Sequence, residues 1–285
     1  MRKTLFGALA VLLAAGAAHA ADLSRQPAID PMLLNAPEVT VQEAASGWYL
    51  RGDAAYGFKD LKGADFFQGG SSAGKADFTR ADLKDSFLLG AGIGYQVNNF
   101  LRADLTFDYS FRSRFDGSTS GGGASSGACV TNCTSQDIAH LKAYSLLANA
   151  YVDLGTYGSV TPYVGGGIGG TYVNWSKLSN TSCETGNSSN CDATVEHDGK
   201  GSWRFTYALM AGATVDVTCN LKADIGYRYR HVQGGDMFGY ASNGGPGYDK
   251  GFDVHEARIG ARYLFGGCPQ TSIADDEPPQ PLVYK

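Results

Sequence analysis

Beyond the amino terminus the chain has no continuously apolar stretch of 18 residues. A membrane helix needs about 20, so helical membrane spans are excluded. Positive charge is in short supply as well. Lys plus Arg number 23 against 28 Asp plus Glu, a net charge of -5, which points away from a nucleic-acid partner. Histidine is scarce. His19 falls in the leader, and His140, His197, His231 and His255 have no Ser two residues away that would suggest a lipid-deacylating pair. His197-Asp198 and His255-Glu256 are sequence neighbours, which puts their side chains on opposite faces of any strand. These histidines read as loop or rim residues, and no catalytic residue is assigned. The six cysteines lack CxxC spacing and a companion His cluster, so no metal or cofactor is assigned either. Only nine Pro interrupt the chain, whereas 39 Gly, 16 Tyr and 14 Phe suit a β protein.

The leader MRKTLFGALAVLLAAGAAHA has a basic start at Arg2 and Lys3, an apolar run over 4–18 and an Ala18-His19-Ala20 cleavage signature. Residues 1–20 therefore read as a cleavable signal peptide, and the mature chain begins at Ala21-Asp22. Losing Arg2 and Lys3 leaves it more acidic still. All six cysteines follow the signal, so they meet an oxidising compartment. Residues 21–46 hold three Pro and no sustained period, an extended periplasmic segment. Residues 266–285 end in DDEPPQPLVYK, a Pro-rich periplasmic tail.

The most informative stretch is LRADLTFDYSFR, Leu101–Arg112. Leu101, Ala103, Leu105, Phe107, Tyr109 and Phe111 alternate with Arg102, Asp104, Thr106, Asp108, Ser110 and Arg112. Period two means a strand with one apolar and one charged face. That pattern fits lipid outside and a narrow polar interior inside. Seven more runs alternate: 47–58, 86–97, 142–154, 160–172, 203–217, 221–230 and 254–265. The connections run long, short, long, short, long, short, long, as an outer-membrane barrel requires when its turns and both termini lie in the periplasm. Asn98-Asn99 is expected to turn tightly through positive φ. The fold predicted is all-β, an eight-stranded antiparallel up-and-down transmembrane barrel over 47–265 with four long external loops.

The expected lumen carries Arg51, Asp53, Arg102, Asp104, Asp108, Arg112, Asp153, Arg204, Asp216, Lys222, Asp224, Arg228, Arg230, Glu256, Arg258 and Arg262. A barrel of eight strands is only wide enough for side chains to fill it, so these charges are expected to pair as a cross-linked polar core. Inward Gly165, Gly167 and Gly169 are expected to make room for bulky side chains from across the lumen. Cys219 and Cys268 fall at one periplasmic rim, within reach of a disulfide. Cys129, Cys133, Cys183 and Cys191 lie in external loops; local pairs Cys129–Cys133 and Cys183–Cys191 are expected, with a bridge between loops as the alternative.

GWYLRGDAAYGF at the first strand, SVTPYVGGGIGGTY at the fifth and ARIGARYLF at the last resemble the small outer-membrane barrels of Gram-negative bacteria. The nearest group is the opacity-like "porin family" of alphaproteobacterial surface antigens. That resemblance implies a terminal strand read by the insertion machinery, here Tyr263 and Phe265, although twenty residues follow. It also implies an abundant structural or surface-exposed component rather than a large pore. Some alphaproteobacterial barrels are joined to peptidoglycan through a mature amino-terminal Ala-Asp, which Ala21-Asp22 matches. The segment behind it spans about 85 Å if extended.

The expected function is therefore non-enzymatic. The chain reads as a structural outer-membrane protein that meets outer-membrane lipid and lipopolysaccharide. Its loops face an unidentified external ligand, and its amino terminus is a candidate peptidoglycan tether. A small-solute channel and a soluble ligand-binding barrel are the alternatives; the latter inverts the two faces.

Overall fold

The computed structural model describes residues 46–67, 74–122, 127–241 and 244–266. The signal peptide, nearly all of the 21–46 segment, Ala21-Asp22, Cys268 and the Pro-rich tail lie outside them.

Among the described residues there are fifteen strands: β1 Gly47–Leu61, β2 Ala64–Phe67, β3 Lys75–Asp77, β4 Arg80–Leu83, β5 Ser86–Gln96, β6 Leu101–Ser118, β7 Ser120–Gly121 and β8 Cys133–Asp153. They continue as β9 Val160–Trp175, β10 Leu178–Glu184, β11 Asn187–Cys191, β12 Val195–His197, β13 Gly201–Asp216, β14 Leu221–Phe238 and β15 Gly247–Leu264. Every pairing is antiparallel. The long strands pair in the series β1–β5–β6–β8–β9–β13–β14–β15, and β15 pairs back onto β1, from Tyr49↔Leu264 to Leu61↔Phe252. The series thus returns on itself and leaves no open edge among the long strands, which is how a sheet satisfies its backbone without water.

At one end the connections are short. Between β5 and β6 the turn does not use positive φ, since Asn132 is the only described non-glycine residue with it. Instead the Asn98 side-chain oxygen accepts from the Phe100 and Leu101 amides at 2.8 Å each, an Asx-type closure. Thr218 plays the same part before β14, accepting from Leu221 N at 2.9 Å. At the other end the strands overrun the expected boundaries. β6 continues to Ser118, β8 starts at Cys133, and β14 and β15 reach Phe238 and Gly247. The expected long loops over 113–139, 174–201 and 231–252 are therefore largely strand. The polar, Gly-rich arms pair with one another there, β4 on β6 and β10 on β8, and backbone ladders form without an apolar pattern to announce them.

Burial follows the alternation. Phe107, Leu146, Ile168, Leu209, Ile225 and Ile259 are exposed, while Arg102, Asp108, Arg228 and Glu256 are almost wholly buried. Above the charged layer sits an apolar cluster that includes Leu83, Phe115, Leu141, Trp175, Phe238 and Phe252. Its members come from many elements: β8 gives Ala139, Leu141 and Ala143, β14 gives Val232, Met237 and Phe238, and β2, β4 and β6 give one each. Rings stack edge-to-face within it, Phe115 on Trp175 at 5.7 Å and Phe78 on Phe115 at 5.8 Å.

Candidate functional site: the buried ion network and the loop-bearing end

The interior is a set of ion clusters. In the largest, Arg51 on β1 bridges Asp53 at 2.7 Å and Asp104 of β6 at 2.8 Å. Asp104 also accepts from Tyr49 Oη at 3.0 Å and Asn149 Nδ2 at 2.7 Å. Arg258 on β15 links Asp53, Asp108 and Glu256 at 3.3, 3.4 and 3.2 Å. Arg228 on β14 lies between Asp108 at 2.9 Å and Glu256 at 2.7 Å, and Arg230 completes Glu256 at 2.5 Å. Four guanidinium groups thus face four carboxylates. Charges so buried are tolerable only when paired and hydrogen-bonded, and alternation alone puts them on one face.

Two smaller clusters lie toward the short turns. Arg102 pairs with Asp153 at 3.0 Å and lies over the rings of Tyr151 and Tyr163 at 4.3 and 4.6 Å. Arg262 pairs with Asp224 at 2.8 Å, and Thr214 Oγ1 donates to the same carboxylate at 2.6 Å. Toward the other end Arg204 holds Asp249 at 2.7 Å, and Trp175 Nε1 donates to Asp249 at 3.0 Å. Lys59 donates to Ser86 at 2.7 Å, to Ser110 at 3.0 Å and to Ser113.

Most residues expected inside are there. Lys222 and Asp216 pair at 2.5 Å but are only half-buried near a turn. Arg112 is a correction: it is exposed on the exterior, because a bulge between Ser110 and Ser113 shifts the β6–β8 register. The glycines of β9 also act differently from expectation. A Cβ at Gly165 would lie 2.6 Å from Tyr151 Cδ1, so the space serves a neighbouring strand and not the far wall. Sequence reasoning missed Lys59, Tyr163 and Asp249. Lys59 and Asp249 fall in stretches read as loop; Tyr163 sits in the expected strand five, at the same parity as Gly165 and Gly167.

At the loop-bearing end Cys129–Cys133 and Cys183–Cys191 are the disulfides, as the local pairing expected. Cys219 is not free; its expected partner Cys268 lies outside the described residues. Phe67, Phe78, Asp137, Asn180, His197 and Phe238 help to line a cleft of about 860 Å³. His197 Nδ1 lies 2.9 Å from the Gly239 carbonyl oxygen. Asp137 lies beyond the apolar exterior band, where its strand carries Thr134 and Gln136. Burial pushes its carboxyl above the usual range, opposed by donors from Ser135 and Asn180 at 2.5 Å each. Of the histidine–acid neighbours, His255 is exposed and Glu256 buried. Tyr263 and Phe265 lie on the exterior with ring centroids 5.3 Å apart.

A closed series of strands, greasy outside and ion-paired inside, is the geometry of one kind of protein, and the family comparison agrees. The model for the outer membrane protein beta-barrel domain matches residues 6–265. The chain belongs to that family. An uncharacterised protein of Brucella abortus (strain 2308) is 36% identical over 284 residues, covering 90% of this chain and 95% of its own. A protein of Rickettsia prowazekii (strain Madrid E) named "Putative adhesin RP828" is 27% identical over 187 residues, 64% of this chain and 70% of its own. Among solved structures, outer membrane protein OprG from Pseudomonas aeruginosa aligns with a TM-score of 0.45 at 13% identity, over 78% of this chain and 98% of that one. Membership of the family places the chain in the outer membrane.

Proposed function

We propose that this protein is a sealed, eight-stranded barrel that supports the envelope as a structural component and displays its loop-bearing end outside the cell. Its short turns face the periplasm, and it acts without catalysis. The observation that carries this reading is the filled interior: ion clusters bridge opposite walls, and the Phe115–Trp175–Phe238 cluster closes them off above. A solute path would have to break several buried pairs, each costly to open. A channel is therefore the weaker reading. Planar-bilayer recording on the purified, folded protein tests it. No sustained open-pore current is expected, and steady ohmic conductance would overturn the sealed-barrel reading.

Export by a cleaved signal peptide and entry through the barrel-insertion machinery by way of Tyr263 and Phe265 belong to the same proposal. So does the tether. Ala21-Asp22 is proposed as the peptidoglycan attachment, motivated by its resemblance to the Ala-Asp motif and by the long segment behind it. Muramidase digestion followed by mass spectrometry is expected to find muropeptide on the Ala21 amine; a free amine on every molecule would refute it. The cleft and disulfide-pinned arms at the loop-bearing end support contact with an external ligand, and the adhesin name of the Rickettsia relative points the same way.

A further inference from the structure

The bulge in β6 has a consequence for the outer surface. The β6–β8 ladder runs to Ser110↔Ala143 and resumes at Ser113↔Leu141, so Phe111 and Arg112 together oppose Lys142. Strict alternation would bury Arg112 and expose Ser113. Instead Ser113 is buried and Arg112 exposed. Lys142 is exposed beside it. One step further Arg114, exposed, pairs in register with His140. Lys84 is exposed too, and its amide donates to the Arg114 carbonyl at 2.8 Å. His140 lies within Coulombic reach of both Arg112 and Arg114.

What lies below and around these cations gives them a direction. Immediately beneath are Tyr109 and Tyr144, in register with rings 5.1 Å apart, then Phe107 opposite Leu146 and Leu105 opposite Ala148. Cation, then aromatic, then aliphatic is the order of side chains across a membrane interface into hydrocarbon. Two of the nearby acids are paired, Asp116 with Arg114 at 2.7 Å and Asp82 with Arg80 at 2.7 Å, while Asp85 accepts the Lys59 amide at 3.0 Å. Among the described residues no carboxylate lies within ion-pair distance of Arg112, Lys142 or Lys84. Elsewhere on the exterior the described Lys and Arg side chains are matched, as Lys62 is by Asp253 at 2.8 Å and Lys75 by Asp65 at 2.7 Å.

We propose that Arg112 and Lys142, with Lys84 and Arg114 at their edge, form a docking site for the phosphate-bearing headgroup of a glycolipid in the outer leaflet. This rests on the reading that the loop-bearing end faces outward. Guanidinium recognises phosphate oxygens through paired N–H donors, and ammonium adds a compact charge. A ligand meeting the barrel sideways at this level, with its chains against Phe107 and Leu146, is a membrane lipid. Each cation near an anionic membrane surface contributes roughly a fivefold gain in binding.

The test uses the full-length protein folded in detergent, with native mass spectrometry following retention of added lipid A in bisphosphorylated and dephosphorylated forms. The bisphosphorylated lipid is expected to be held more tightly, and Arg112→Gln with Lys142→Gln should weaken it roughly 25-fold. Lys62→Gln should leave it unchanged. Equal retention of both lipids, indifference to the double variant, or displacement by millimolar inorganic phosphate would overturn the site. Should the double variant fail to fold, Lys84→Gln provides a milder loss, expected at no more than about fivefold. Heat-modifiable gel mobility is read on the same samples. Its absence in the wild type would sink the barrel itself, whereas its presence without phosphate preference would sink only the lipid site.

Discussion

Replacing Arg228 by Met is the sharpest perturbation of the interior. The Arg228 side chain is 1% exposed and touches Asp108 at 2.9 Å and Glu256 at 2.7 Å. Without it Asp108 keeps only Arg258 at 3.4 Å, while Glu256 keeps Arg230 and Arg258. Four cations against four anions become three against four in a space sealed from water. Breaking a buried pair by removing one partner costs about 3–5 kcal/mol, because a charge is left uncompensated. With a urea slope near 3 kcal/mol/M, at the upper end for a chain of this size, the midpoint should fall by about 1–2 M. The assay is urea unfolding of the protein in phospholipid bilayers, read by heat-modifiable mobility and Trp fluorescence. Adding Asp108→Leu should cost less than the sum of the two single changes, since it restores charge balance. A midpoint shift under about 0.3 M for Arg228→Met, equivalent to about 1 kcal/mol, would refute the claim that the interior is a closed, mutually compensating ion network.

Other consequences are as direct. Gly165→Ala would set a methyl 2.6 Å from Tyr151 Cδ1 and 2.8 Å from the Ala150 carbonyl oxygen; an overpacking loss of about 1–3 kcal/mol is expected in the same unfolding assay. Replacing Cys183 and Cys191 by Ser should speed proteolysis of the 178–197 arm while leaving heat-modifiable mobility intact, because that bridge closes a span of only 8 residues far from the ion clusters. Asp137→Asn tests the raised carboxyl. A carboxyl whose folded value exceeds its unfolded one loses stability as pH climbs through that range, so the Asn variant should match the wild type near pH 3. It should protect the β8 and β10 amides better at pH 8, as measured by hydrogen exchange. Protection equal to the wild type at both pH values would count against burial as the cause.

Much of this was legible in the alternation itself. Leu101–Arg112 put Phe107 outside and Asp108 inside, where they are found, because period two leaves a half-buried strand no other choice. The short turns stood out through their length, although Asn98 closes its turn by side-chain acceptance and not by backbone φ. Three things were hidden, each for a physical reason. Pairing partners such as Arg258 and Asp108 lie 150 residues apart, and alternation gives a face, never a partner. The Arg112 reversal comes from one extra residue in the ladder, which leaves the hydrophobic pattern on either side intact. The apolar cap was hidden because Phe115 and Trp175 are flanked by polar residues, and Met237-Phe238 follows the Gly-Gly-Asp of a stretch whose strand is held by its backbone ladder.

The orientation of the two faces bears the whole account, and the isoleucines report on it without any substitution. Ile93, Ile168, Ile225 and Ile259 are 48%, 62%, 60% and 63% exposed, spread over β5, β9, β14 and β15. With their δ1 methyl groups isotopically labelled and the protein in lipid nanodiscs, all four should show nuclear Overhauser contacts to lipid acyl-chain protons. Contacts to water, or among these four methyl groups across a shared centre, would contradict it.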